Sequence, residues 1–285
     1  MEGGPQNNSV ACIVQARMSS NRLPGKTLMP IPIASDKSLL LWIVEEVRKS
    51  KFQPNIYIAT SLSNENDVLE AFCARHNVHC FRGDEDDVLS RFGAIVKKSK
   101  PATVVRLTAD NPLIDVEALD ETIAYHLEQK NDYTKTEGLP LGMNFEVVSS
   151  QAILKSDSEE LSKSEREHVT LFIRNNKGFK KETYQFATEG DLKELRLTVD
   201  YPSDFLLVST LLGFALQNET LRGLPLVQKI YRKHPWLFGA NAMNVQKRQF
   251  FSLAEELKVA SETLKNLEYH KAASILEAHE EKDTI

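Results

Sequence analysis

Residues 10–26 read VACIVQARMSSNRLPGK. The opening VACIV is a short apolar run, and the remainder is a polar loop with Ser, Pro and Gly. An apolar run closed by turn residues reads as a buried strand feeding a loop. Downstream, residues 39–49 carry Leu40, Ile43, Val44 and Val47 at a helical period. A strand is expected over 55–60, an amphipathic helix over 67–76 and a short strand over 78–81. Residues 87–97 place Val88, Leu89, Phe92, Ile95 and Val96 on one helical face. Residues 103–107 read as an apolar strand and 116–127 as another helix. Strand and helix in alternation, joined by short loops, predict βαβ units: an α/β fold with a mainly parallel sheet.

The middle of the chain is less regular. Strands are expected at 132–134, 143–148, 184–187 and 196–199, and helices at 166–174 and 203–215. Residues 253–276 repeat Leu253, Leu257, Ala260, Leu264, Leu267 and Ile275 along one long helical pattern. Two regions are expected: an α/β domain over 1–220 and a helical C-terminal extension over 221–285.

The chain has 285 residues and a formal charge of −5, with 41% hydrophobic and 26% charged residues. That composition is globular rather than disordered. Its mild acidity speaks against a general nucleic-acid binder. No apolar run reaches the about 20 residues that span a bilayer, so no membrane partner is expected. The opening MEGGPQNNS lacks the basic and apolar regions of a leader. Cys12, Cys73 and Cys80 are odd in number and lie in apolar contexts, which reads as reduced thiols of a cytoplasmic protein. No Cys or His pair at zinc spacing accompanies them.

The loop after the first strand concentrates charge. Between Glu2 and Asp36 there is no acid, yet Arg17, Arg22 and Lys26 stand within ten residues. An open parallel sheet binds its ligand just past the carboxyl ends of its strands. Arg supplies a planar fork and Lys a point charge, both suited to a polyphosphate. Ser19, Ser20 and Gly25 add hydroxyls and a backbone that can come close to phosphate oxygens. The bland alternative is a solvated basic loop with Pro24-Gly25 as its turn. Neither G-x-x-x-x-G-K-[ST] nor G-x-G-x-x-G is present.

Asp110 follows the strand at 103–107, and Asp200 follows the apolar stretch 195–199. Either can hold a ligand at a strand end or cap the next turn. Asp204 reads as a cap for the helix beginning near Phe205. Asp84 and Asp86 form a D-x-D pattern, which raises a rival reading as a glycosyltransferase using a nucleotide-sugar. Asp86 and Asp87 also suit the first turn of the following helix.

Five ordered segments together resemble the sugar cytidylyltransferases, closest to their SpsF-like branch and related to the Kdo enzymes. They are VQARMSSNRLPGK (14–26), FRGDEDDVLSRF (81–92), VVRLTADNPLID (104–115), REHVTLFIR (166–174) and LRLTVDYPSDF (195–205). The resemblance implies a Rossmann-like nucleotidyltransferase fold of the glycosyltransferase-A type. It implies transfer of CMP from CTP to the anomeric hydroxyl of a sugar acid, with release of pyrophosphate, for surface polysaccharide synthesis. Arg17, Ser19, Arg22 and Lys26 then hold the triphosphate, and Arg82 also contacts nucleotide. Main-chain atoms of Gln15 and Ala16 and the side chain of Thr108 meet the base; Thr108 stands where Kdo-type enzymes have Gln. Lys26, Arg17 and Asp110 form the catalytic set. Asp110 and Asp200 hold magnesium, Mg2+, and two carboxylates around an empty metal site repel. Removing either is therefore expected to leave the melting temperature level or raise it. Glu146, His168 and Arg166 face the sugar; Arg174 is the alternative cation for an acidic acceptor. The resemblance also implies a homodimer built on 131–180, whose Met143, Phe145, Val147 and Val148 have no evident cover in the sequence. A glycosyltransferase, a nucleotidyltransferase for another base and a non-catalytic nucleotide-binding module remain the alternatives.

Overall fold

The computed structural model describes residues 9–218, 220–244 and 252–280. The opening residues 1–8 and the closing 281–285 lie outside the described residues. One compact unit runs to Met243, and a second begins at Asn244.

The first strand, β1 (Val10–Gln15), is followed by α1 (Leu39–Val47), β2 (Asn55–Ser61), α2 (Asp67–His76), β3 (His79–Gly83), α3 (Val88–Ser99), β4 (Thr103–Thr108) and α4 (Val116–Gln129). Then come β5 (Tyr133–Glu137), β6 (Glu146–Ser149), α5 (Ser150–Asp157), α6 (Lys163–Glu167), α7 (Leu171–Asn175) and β7 (Lys181–Gln185). The first unit closes with α8 (Pro202–Gln217), α9 (Gly223–Lys233) and a 3-10 turn over Pro235–Asn241. The strands form one sheet in the order β3-β2-β1-β4-β6-β5-β7. Among the described strands, β6 alone runs against its neighbours. The order reverses between β1 and β4, and there an open α/β sheet leaves a crevice at its carboxyl edge.

Alternation along the strands builds two cores. Val10, Cys12 and Val14 of β1 join Val105 and Leu107 of β4 under α1, α2, α4, α8 and α9. Ile13 and Val104 turn the other way, to meet Val88, Leu89 and Phe92 of α3 and Ile153 of α5. Burial on both faces is why β1 reads as an unbroken apolar run and β4 as one broken only by Arg106, which pairs with Glu146.

Caps set the helix starts. Ser38 Oγ accepts the Leu41 N–H at 3.3 Å, Asp87 accepts from Ser90 at 2.9 Å, and Asp115 accepts from Ala118 at 2.9 Å. Each satisfies one of the orphan donors of a first turn.

Several expectations are corrected here. The helix expected over 166–174 is two short helices, because Val169 takes φ +48° between them. The strand expected at 196–199 is absent; Arg196 makes a single bridge to Leu141. The long C-terminal pattern breaks into α10 (Leu253–Asn266) and α11 (His270–Glu280), with Glu268 at φ +64° in the turn. The first unit extends past residue 220, since Leu226, Val227, Ile230 and Phe238 belong to its core. Met143, Phe145, Val147 and Val148 are not exposed for a partner: each is at most 2% exposed within one chain. β6 lies inside the sheet, and β7 is the edge on that side.

Beneath β5, the buried His126 ring lies 2.9 Å from Thr134 Oγ1. Burial pushes its pKa down to about 4, against the pull of Asp132. The folded pKa lies below the unfolded value, so stability is full above about pH 6.5 and falls as pH drops toward 4. The loss amounts to about 3 kcal/mol once complete. Urea unfolding of the wild type between pH 7 and 4 is expected to show this slope, and His126→Gln to flatten it.

Candidate active site

Lys26 opens a 3-10 turn whose preceding residue, Gly25, takes φ +73°, a left-handed conformation natural to glycine. The loop before it is tied down at both ends. Asn66, fully buried, accepts the Met18 N–H at 2.8 Å and donates to Ser61 Oγ at 2.8 Å. Thr27 Oγ1 donates to the Arg17 carbonyl at 2.9 Å. The loop is thus fastened to β2 and brings Lys26 across the crevice.

There the Lys26 ammonium joins the two aspartates. Its Nζ lies 2.8 Å from Asp200 Oδ1, 3.3 Å from Asp110 Oδ2 and 2.6 Å from the Val199 carbonyl. Val199 N–H in turn donates to the Asp110 carbonyl at 2.8 Å, which docks 195–200 against the end of β4. Asp110, Lys26 and Asp200, distant in sequence, therefore form one cluster. Thr108 Oγ1 donates to Asp110 Oδ1 at 2.5 Å and receives Asn111 Nδ2 at 2.9 Å. In this structure Thr108 orients Asp110.

Asp200 is surrounded by cations. Arg22 reaches Oδ1 at 3.0 Å, and Arg196 reaches Oδ2 at 3.0 Å. Arg22 also donates to Tyr201 Oη at 3.3 Å and lies 4.7 Å from the centre of its ring. Burial raises the Asp200 carboxyl, but Lys26, Arg22 and Arg196 outweigh it and hold the pKa below its ordinary value. The expected repulsion between two bare carboxylates is therefore corrected: cations lie between and behind them.

A second charged feature lies at the ends of β1 and β2. Arg91 of α3 is 4% exposed, and its Nε has no hydrogen-bond partner. Its NH1 donates to the Ala59 carbonyl at 3.3 Å. Burial, and then the like charge of Arg17, lower its pKa against the pull of Asp84, Asp87 and Glu85. Ser19 Oγ is likewise buried without a partner. A buried guanidinium under the influence of a second like charge suits an anion. Arg91→Met is expected to raise the KM for nucleotide at least tenfold. The melting temperature should fall only modestly, since the bonds to the Ala59 and Glu85 carbonyls and the pull of Asp84, Asp87 and Glu85 are lost along with the cost of burying the charge. Steady-state kinetics alongside calorimetry checks both parts.

Other expected site residues are engaged elsewhere. Arg82 pairs with Asp67 at 2.7 Å and Glu70 at 2.9 Å, and donates to the Ser61 and Ser63 carbonyls. It fastens α2 to the sheet. Arg166 pairs with Asp87 at 2.6 Å and Asp157 at 2.9 Å, joining α6 to α3 and α5. Glu146 receives Arg106 and Tyr133, each at 2.5 Å, and Thr170 at 2.9 Å. Burial opposes its charge, but Arg106 and Tyr133 keep its pKa low. The Ala16 N–H is taken by the Ala59 carbonyl at 3.1 Å, and the Gln15 carbonyl by Ala109 N–H at 3.0 Å. Gln15 Oε1 accepts from Arg106 at 3.2 Å. His168 is half-buried at the end of α6, in the break before α7. Asp84 Oδ1 accepts the N–H groups of Asp86 and Asp87 at 2.9 and 3.0 Å, so the D-x-D pattern is a turn leading into α3.

The cytidylyltransferase family model matches residues 11–228, spanning this whole cluster. The chain belongs to the cytidylyltransferase family. It is 39% identical to the spore coat polysaccharide biosynthesis protein SpsF of Bacillus subtilis, over 79% of this chain and 95% of that protein. A 3-deoxy-manno-octulosonate cytidylyltransferase of Francisella philomiragia is 31% identical over 45% of this chain and 50% of that protein. Among solved structures, a cytidylyltransferase from Leptospira borgpetersenii superposes with a TM-score of 0.73 at 28% identity, covering 85% of this chain and 99% of that one. This cytidylyltransferase is accordingly an enzyme of the nucleotidyltransferase class. No helix among its described residues is long and apolar enough to cross a membrane.

Proposed function

We propose that the enzyme transfers CMP from CTP to the anomeric hydroxyl of a sugar acid, releasing pyrophosphate and a CMP-sugar. The observation that carries this reading is the Lys26 ammonium set between Asp110 and Asp200 at the reversal point of the sheet. Arg17, Arg22, Lys26 and Arg91, with Ser19, supply the positive field and donors for a triphosphate. Donors gathered at one end of the sheet stabilise charge on the phosphates. Polysaccharide synthesis as the use of the product follows the Bacillus subtilis relative, whose name is that of a spore coat polysaccharide biosynthesis protein.

The oxygens around Lys26 Nζ come from Asp110, Asp200 and the Val199 carbonyl. An all-oxygen set converging on one cation fits a hard divalent ion. Asp110 and Asp200 would hold magnesium, with phosphate and water completing its shell, once Lys26 turns to the triphosphate. When bound, the ion supplies charge neutralisation and lowers the pKa of an attacking hydroxyl. The acceptor then lies on the His168 side, with Arg174 as the cation left for a carboxylate, since Arg166 is paired. The free thiols Cys12, Cys73 and Cys80 suit the reducing cytoplasm. A homodimer belongs to the same reading: a second copy along β7 would cover that sheet edge.

Thermal shift tests the ligand class. CTP with magnesium is expected to raise the melting temperature more than UDP-sugars do. A larger shift with UDP-sugars would overturn the reading in favour of a nucleotide-sugar donor.

A further inference from the structure

We propose that Asn241, beyond the 11–228 segment that matches the family, is a positioning residue for the Asp200 carboxylate. The proposal rests on the reading of Asp200 as a metal-holding group. Asn241 closes the 3-10 turn over Pro235–Asn241, and that turn packs on the first unit's core through Phe238. Tyr231 of α9 meets Phe238 edge to face at 5.3 Å. The turn is thereby held against α9, and Asn241 is 2% exposed.

The carboxamide uses both of its donor positions. Asn241 Nδ2 donates to Asp204 Oδ1 at 2.7 Å and to the Arg196 carbonyl at 2.9 Å. Asp204 is fully buried. Its carboxylate also receives Arg196 Nε at 3.0 Å and NH2 at 3.2 Å. The backbone N–H groups of Asp200 and Tyr201 reach its Oδ2, each at 3.0 Å. Asp204 thus holds the main chain of Asp200, while Arg196 NH2 holds Asp200 Oδ2 at 3.0 Å. With Oδ2 fixed from behind, Oδ1 is the oxygen turned to Lys26 and Asp110.

Asn241 fastens both parts of that support, Asp204 by its side chain and Arg196 by its carbonyl. The chemistry asks for an amide. Asparagine offers two N–H donors without charge. Aspartate would set a like charge against Asp204, and leucine would fill the space with no donor at all. Partners that orient a metal-holding carboxylate govern metal affinity strongly.

The test compares wild type, Asn241→Leu, Asn241→Ser and Leu226→Ala. Leu226 is 1% exposed on α9 and makes no part of the Asp204 network, so its truncation loosens the same region by packing alone. Mn2+ binding is followed by electron paramagnetic resonance in the presence of CTP, with CTP affinity measured separately without metal. Asn241→Leu is expected to weaken Mn2+ binding about tenfold and to leave metal-free CTP affinity unchanged. Asn241→Ser, which keeps one donor, should fall between it and wild type. Leu226→Ala should lower the melting temperature without moving Mn2+ affinity. Unchanged Mn2+ affinity in both Asn241 variants, or an equal loss in Leu226→Ala, overturns the inference. A wild-type enzyme that binds no Mn2+ with CTP overturns the metal reading and this inference with it.

Discussion

Lys26→Ala is expected to lower kcat for CTP-dependent transfer by about 10²–10³, the effect of removing one charge-stabilising donor. The ammonium has three oxygen partners within 3.3 Å, and its side chain is 12% exposed. It is therefore held at the crevice, within reach of the triphosphate once the ion takes its oxygens. The same substitution leaves Asp110 and Asp200 facing each other without the cation between them. Arg22 and Arg196 still hold Asp200, so the fold should survive with a lowered melting temperature. Rapid-quench kinetics with circular dichroism of the variant separates the two effects. Wild-type kcat and KM in the Lys26→Ala variant would remove Lys26 from the chemistry.

Asp200→Asn and Asp110→Asn should both abolish magnesium-dependent turnover, yet they should differ sharply in stability. Asp200 is 10% exposed in its side chain and pairs with Lys26, Arg22 and Arg196. Removing its charge leaves three cations crowded together, a loss on the order of 3 kcal/mol. Asp110 is 27% exposed and its ion pair is with Lys26, so Asp110→Asn should cost under about 1 kcal/mol. The pH dependence has a definite sign. The folded Asp200 pKa is depressed, so its contribution is present above the unfolded value near pH 4 and is lost as pH falls through the folded value. Denaturant titrations of both variants at pH 7 and pH 3 check the ranking and the slope. Equal stability losses at pH 7 would show that the cations around Asp200 contribute nothing.

How legible each element is in the sequence depends on where its signal is stored. β1 and most of β4 are buried on both faces, so their character is written in runs of apolar residues, Arg106 excepted. The break in 166–174 and the missing ladder at 196–199 are not legible, because tertiary contacts decide them. Val169 adopts a left-handed conformation, and Leu197 bonds Leu141 without a ladder beyond it. Lys26, in the loop after β1, and Asp110, just past β4, stand where a crevice is marked locally, whereas Asp200 has no strand before it and is picked out through the family resemblance of 195–205. Arg82 and Arg166 cannot be separated from true ligand cations in the same way. Their carboxylate partners lie on other elements: Asp67 and Glu70 on α2, Asp87 and Asp157 at α3 and α5. Arg196, Asp204 and Asn241 act through a buried network whose last member enters from a turn far down the chain. No local pattern carries that information.

Pyrophosphate release, measured for the four nucleoside triphosphates against a panel of sugar acids with and without magnesium, tests the central claim most directly. The expected result is release only when CTP, magnesium and one sugar acid are present together, with a CMP-sugar formed in equal amount. Release with another nucleoside triphosphate in preference to CTP would contradict the account, as would turnover of a nucleotide-sugar with no consumption of CTP.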